Sequence, residues 1–137
     1  ADVLKRGPLQ RNERKFLVDR LANVVQHMHS QNVVHCDMKP QNFVLFGLKW
    51  KVVDLEAARR TSEPISMRIS PSYCAPEVAR SVLSKQADRT RASYALDVWG
   101  FGLLIFELFA RRPYFKDTPD TLPQLASFAE LEVRAPE

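Results

Sequence analysis

The segment from Ser93 to Ala110 is apolar at nearly every position, apart from Asp97 and Glu107, and this constrains the fold more than any other stretch. A run of this kind predicts a helix buried on most sides, with Trp99, Phe101, Leu104, Phe106 and Leu108 as core residues. A membrane span needs about 20 apolar residues in succession, and this run is shorter and carries an acid. An unpaired carboxylate inside such a helix costs several kcal/mol. Asp97 is therefore expected to accept hydrogen bonds and organise whatever lies against the helix.

The other elements follow from periodicity and breakers. Between Arg11 and Ser30, apolar residues at Phe16, Leu17, Leu21, Val24, Val25 and Met28 recur as on one helical face. Asn32 to His35 is a short β-rich entry to a polar loop. Phe43–Phe46 and Lys49–Val53, joined through Gly47, predict a small hairpin. From Glu56 to Ser72 the chain is polar, carries Pro64 and Pro71 and has no period, which predicts a long surface loop. Pro113, Pro119 and Pro123 mark loop, and Gln124 to Glu132 fits one more short helix. With 137 residues, 45% of them hydrophobic, the chain suffices for one core and not two. It opens on Ala1 in sequence that reads like the interior of a longer protein, with no secretory signal pattern.

Charge and cysteine usage narrow the function classes. The 20 Lys and Arg, giving a net charge of +4, are spread along the whole chain. A nucleic-acid footprint clusters its cations, so nucleic-acid binding is not expected, nor is a membrane partner. Cys36 and Cys74, with no secretory signal, fit a reducing compartment, cytoplasm or nucleus. His27, His29 and His35 lack the companion ligands of a zinc site.

The chemistry-bearing stretch is His35-Cys36-Asp37-Met38-Lys39-Pro40-Gln41-Asn42, followed after the hairpin by Asp54-Leu55-Glu56. It gathers hard oxygen ligands suited to magnesium held together with substrate phosphates, and an ammonium able to neutralise a transferring phosphoryl group. Taken alone, Asp37 and Asn42 also fit an Asx-stabilised turn beside proline.

The first stretch resembles the catalytic loop of eukaryotic-type protein kinases (35–42), and the second resembles the magnesium-binding triplet that opens their activation segment (54–77). Tyr73-Cys74-Ala75-Pro76-Glu77 is similar to the motif that closes that segment, and Asp97-Val98-Trp99-Gly100-Phe101-Gly102 to the opening of the family's buried central helix, here about 93–110. The resemblance covers Val34 to Leu108 in the family's order and implies a mainly α large (C-terminal) lobe with a small β-hairpin. Residues 1–137 are then a partial kinase domain, expected to be incomplete at both ends.

By this resemblance Asp37 accepts or orients the proton of a substrate hydroxyl, Lys39 contacts the γ-phosphate of ATP, and Asn42 and Asp54 hold Mg2+. Lys39, two positions after Asp37, is similar to the Ser/Thr-specific pattern. Ser70 stands five residues before Ala75, where a threonine usually bonds the catalytic pair. Asp97 accepts hydrogen bonds from the catalytic-loop backbone, His35 and Leu55 resemble large-lobe members of the hydrophobic regulatory stack, Val44 a wall beneath the adenine, and Glu77 the partner of a later arginine.

Cys36 replaces the arginine that precedes the catalytic aspartate and reads a phosphate on the activation loop. Activity independent of loop phosphorylation at Thr61, Ser62 or Ser66 is therefore expected, although Arg59 and Arg68 are available as phosphate partners. Glu56 replaces the triplet's glycine and either biases the segment's conformation or adds a carboxylate near the metals. No glycine-rich loop, phosphate-binding strand lysine or paired helix glutamate occurs in these residues, so nucleotide binding by this piece alone is expected to be weak or absent. The leading reading is transfer of the ATP γ-phosphoryl group to Ser/Thr hydroxyls of protein substrates. The alternative is a pseudokinase scaffold. A small-molecule phosphotransferase fits less well, given Lys39 and Ala75-Pro76-Glu77. The sequence carries no signal of oligomeric state.

Overall fold

The computed structural model describes residues 9–66, 68–86 and 89–128. Helix α1 runs Arg11–Ser30, opened by the Glu13 carboxylate accepting the Gln10 N–H at 2.7 Å. Leu17, Leu21 and Val25, spaced four apart, form its buried row, as the i, i+4 geometry of a helix requires. Strand β1 (Val33–Val34) leads into the loop that carries the polar motif. Strands β2 (Phe43–Phe46) and β3 (Lys49–Val52) form an antiparallel hairpin with Phe43 opposite Val52 and Phe46 opposite Lys49. Gly47 takes φ +59° at its turn while Leu48 does not, the conformational pattern of a two-residue hairpin turn that favours glycine at its first position.

The stretch 56–72 is largely loop, as its composition predicts, but it is pinned by backbone pairing that the sequence does not show. Arg59–Arg60 forms strand β4, paired antiparallel with β1 so that Val34 lies opposite Arg59. Beyond it, Ser62 and Ile65 donate to the carbonyls of Ala92 and Thr90, and Ala92 donates back to Glu63. A two-residue strand is too short to show a period, so pairing with a distant segment decides it.

Helix α2 (Pro76–Leu83) starts with proline at its first position, where the missing N–H costs nothing. Helix α3 (Tyr94–Ala110) closes on Arg111 in the left-handed conformation. Helix α4 runs Thr121–Phe128, starting earlier than the expected Gln124. Pro123 falls in its first turn rather than in loop, since the first-turn N–H groups have no intrahelical acceptor. The expected residues 129–132 of this helix lie outside the described residues.

Two hydrophobic clusters flank the polar loop. One joins Leu17, Leu21 and Val25 of α1 to Met38, Phe43, Leu104 and Leu108. The other joins Val34, Ile65, Ala75, Val78 and Ala79 to Leu96, Phe115 and Leu125. Each fully buried leucine contributes about 1.5–3 kcal/mol, and Leu21, Leu104 and Leu125 are all at 0% exposure. α3 is not buried on most sides, however. Leu104 and Leu108 are core, whereas Trp99, Phe101 and Phe106 are only half-buried and Val98 and Phe109 are 61% and 43% exposed. The described elements cover one side of α3. The architecture is mainly helical with small two-stranded sheets.

Candidate active site

The site stands on Asp97. This carboxylate, fully buried in the first turn of α3, accepts the His35 N–H at 2.8 Å and the Cys36 N–H at 2.9 Å. Cys36 has φ +65°; a left-handed residue of this kind lets successive N–H groups converge on one anion. The third partner, His29, donates from Nε2 at 2.8 Å, and its ring stacks on Tyr94 with centroids 4.4 Å apart. Sequence reasoning missed His29. The available signal was its place four residues after Val25, at the end of the buried row of α1.

Above this base, the buried His35 ring accepts the Asp37 N–H at Nδ1 (3.2 Å) and meets the Val53 carbonyl through Nε2 (3.0 Å). The imidazole, accepting on one nitrogen and donating on the other, thus ties the polar loop to the end of β3. Gly100 lets the loop sit tightly on α3: a Cβ there would lie 2.8 Å from Met38 Cβ and 2.9 Å from Met38 O.

Lys39 Nζ is shared between Asp37 Oδ2 at 2.7 Å and Ser70 Oγ at 2.9 Å. The ion pair and the hydroxyl join the loop to the segment approaching α2. Asn42, almost fully buried, donates from Nδ2 to the Asp37 carbonyl at 2.8 Å, which leaves its Oδ1 as an acceptor. The Val53 N–H donates to the Asn42 carbonyl at 2.9 Å, bringing the exposed Asp54, held at φ +61°, to the same end of the hairpin. Two hard oxygen donors from adjacent strand ends, few and partly open, match magnesium, which keeps several waters and takes one or two protein oxygens with substrate phosphates. A small cleft of about 30 Å3 opens beside Asp37 between Cys36, Ser66, Ser70 and Cys74.

Asp37, Lys39, Asn42 and Ser70 thus form one bonded cluster over His35 and Asp97, with Asp54 beside it. Val44, Leu55 and Glu77 make no hydrogen bond or ion pair to it among the described residues. Val44 is half-buried on β2 opposite Lys51, Leu55 is 56% exposed, and Glu77 is exposed in the first turn of α2. Glu56 pairs with Arg68, both side chains largely exposed. Tyr73 donates its hydroxyl to the buried Glu107 of α3, a second contact the sequence did not disclose.

The thiols are electrostatically quiet. Burial, reinforced by Asp97, pushes Cys36 from 9.0 up to about 12 against the opposing pull of Arg59. Burial and Glu77 push Cys74 up to about 12 as well. Neither forms a disulfide. Among the described residues no helix is long and apolar enough to cross a membrane.

Comparisons with known proteins identify the family and the fold. The family profile described as the protein kinase domain matches residues 1–134. CBL-interacting serine/threonine-protein kinase 21 of Arabidopsis thaliana is 33% identical over 129 residues, covering 91% of this chain and 29% of that protein. Human serine/threonine-protein kinase D2 is 28% identical over 139 residues, covering 96% of this chain and 15% of its own length. The chain therefore spans less than a third of these curated relatives. Among solved structures, the yeast RNA Pol II CTD kinase CTDK-1 complex contains a similar fold, with a TM-score of 0.76 at 21% identity, over 91% of this chain and 42% of that one.

Proposed function

Since the chain belongs to the protein kinase domain family, we propose that its polar cluster is the large-lobe half of a phosphotransfer site that moves the γ-phosphoryl group of ATP to serine or threonine hydroxyls of protein substrates. The observation that carries this reading is the shared Lys39 ammonium, bonded at once to Asp37 and Ser70. A substrate hydroxyl beside Asp37 gives up or orients its proton at Oδ1 or Oδ2. Lys39 offsets the charge of the transferring group next to it. Ser70 holds Lys39 in place and ties the substrate-side segment to the loop. Asn42 and Asp54 are the residues that hold magnesium, which, when bound, neutralises phosphate charge. The phosphoryl transition state is loose and demands little covalent chemistry, so positioning and charge carry most of the rate.

His35 and Asp97 act from beneath, by fixing the backbone from which Asp37 projects. Protein substrates, ATP and Mg2+ are the implied partners, and the free thiols fit cytoplasm or nucleus. The test is phosphoamino-acid analysis of a generic protein substrate incubated with the full-length protein, Mg2+ and γ-labelled ATP. Label on serine and threonine supports the reading. Label on tyrosine alone overturns the Ser/Thr assignment. No label, together with no thermal shift by Mg-ATP, leaves a scaffold.

A further inference from the structure

The segment between Asp54 and Ser70 is fixed to the polar cluster at both of its ends. At the first, the Val53 N–H donates to the Asn42 carbonyl and brings Asp54 beside it. At the second, Ser70 Oγ accepts from Lys39 Nζ at 2.9 Å. Glu56 stands two residues inside the first end and Arg68 two residues inside the second, and their side chains form an ion pair. That pair joins the two sides of the segment at its neck. The stretch between them is held separately, since Arg59 and Arg60 pair with β1 while Ser62 and Ile65 donate to the carbonyls of Ala92 and Thr90.

Glu56 stands where the magnesium-binding triplet has glycine, and Cys36 where an arginine would read a loop phosphate. The Arg59 guanidinium donates to the carbonyls of Glu56 at 3.3 Å and Ala58 at 2.7 Å, which braces the backbone from which Glu56 projects. The Glu56 carboxylate is engaged by Arg68, so of the two roles its position left open, the contact supports the conformational one. A guanidinium pairs with carboxylate and with phosphate in the same charge-assisted way. An encoded glutamate–arginine pair therefore supplies the kind of contact that a phosphorylated loop residue and an arginine would otherwise supply.

We propose that Glu56 and Arg68 are positioning residues, whose ion pair closes the segment so that Asp54 and Ser70 meet the cluster with no phosphate on the loop. The inference rests on the phosphotransfer reading of that cluster and names how its geometry is maintained. Arg68 and Glu56 are 76% and 66% exposed, so the pair is screened by salt and its effect is a few-fold one. It adds little to global stability. It acts instead at the neck of a segment whose two ends carry Asp54 and the hydroxyl partner of Lys39.

The test compares the phosphatase-treated full-length protein with its Glu56→Gln and Arg68→Gln variants and with the reversed pair Glu56→Arg, Arg68→Glu. Two quantities are read: amide hydrogen exchange over residues 57–66, and the initial rate of transfer from Mg-ATP to a Ser/Thr protein substrate. Each single variant exchanges faster over 57–66 and transfers about threefold more slowly at low salt, with an unchanged thermal midpoint. The reversed pair restores both quantities. In about 0.5 M salt the deficit of the single variants disappears, because the wild type loses the pair as well. The proposal is overturned by single variants that match the wild type in exchange or, in an active protein, in rate. A reversed pair no better than either single variant overturns it too, as does phosphatase treatment that abolishes the transfer seen before treatment. No transfer by any form, with the exchange pattern as expected, overturns the phosphotransfer reading and leaves the closure standing.

Discussion

Replacing Asp97 tests how much of the site depends on one buried carboxylate. Asp97→Ala strands the N–H groups of His35 and Cys36 and the Nε2 of His29, which now converge on it at 2.8–2.9 Å. Each buried donor left without an acceptor costs about 1–3 kcal/mol. His29 is 16% exposed and can recover water, so the two backbone donors dominate, for a loss of about 4 kcal/mol. Asp97→Asn keeps one oxygen, which can still serve His35 and His29, but turns an NH2 toward the Cys36 N–H. That costs one charge-assisted bond and sets donor against donor, about 2 kcal/mol. Against a typical total of about 5–15 kcal/mol, urea unfolding resolves both, with the Asn midpoint falling by about 1 M and the Ala midpoint further. Midpoints for both variants indistinguishable from wild type, or Asn the more damaging, would refute this account of Asp97.

Gly100→Ala introduces a Cβ against Met38 side chain and backbone and destabilises the chain by about 1–3 kcal/mol, read as a lowered thermal midpoint; an unchanged midpoint means the loop yields freely. Cys36 and Cys74, held near 12 rather than 9.0, stay protonated in the folded chain at pH 8, so iodoacetamide labels them slowly until denaturant is added. Between pH 9 and about 12 the unfolded chain releases these protons first, so their contribution to stability falls as pH rises through that window and is flat below it. Ser66→Ala leaves transfer activity of the full-length protein within about twofold, because Cys36 offers no guanidinium to a loop phosphate and the Ser66 hydroxyl accepts the Arg68 N–H of its own loop; loss of activity in a phosphorylation-dependent manner would contradict this.

Where physics acts within a short window, the sequence was readable. The row Leu17, Leu21, Val25 marked α1, and Gly47 between two apolar runs marked the hairpin. The order of the motifs marked the family. Long-range pairing was not readable. Strand β4 exists because Val34 finds Arg59, and two residues carry no period. His29 was overlooked because a histidine closing an apolar row shows its role only when Asp97, 68 residues away, is seen beside it. Glu107 posed the same question as Asp97, an acid in an apolar helix, and its answer is the Tyr73 hydroxyl. The apolar pattern of α3 overstated its burial, since hydrophobicity gives the tendency to be covered and not the identity of the cover.

The central claim is that Asp37, Lys39, Asn42 and Asp54 form a magnesium-dependent phosphotransfer site. It is tested most directly by the initial rate of γ-phosphoryl transfer from Mg-ATP to a Ser/Thr protein substrate by the full-length protein and its Asp54→Asn variant. The account predicts measurable transfer by the wild type and a loss of about a thousandfold or more in the variant. A variant as active as the wild type would contradict it.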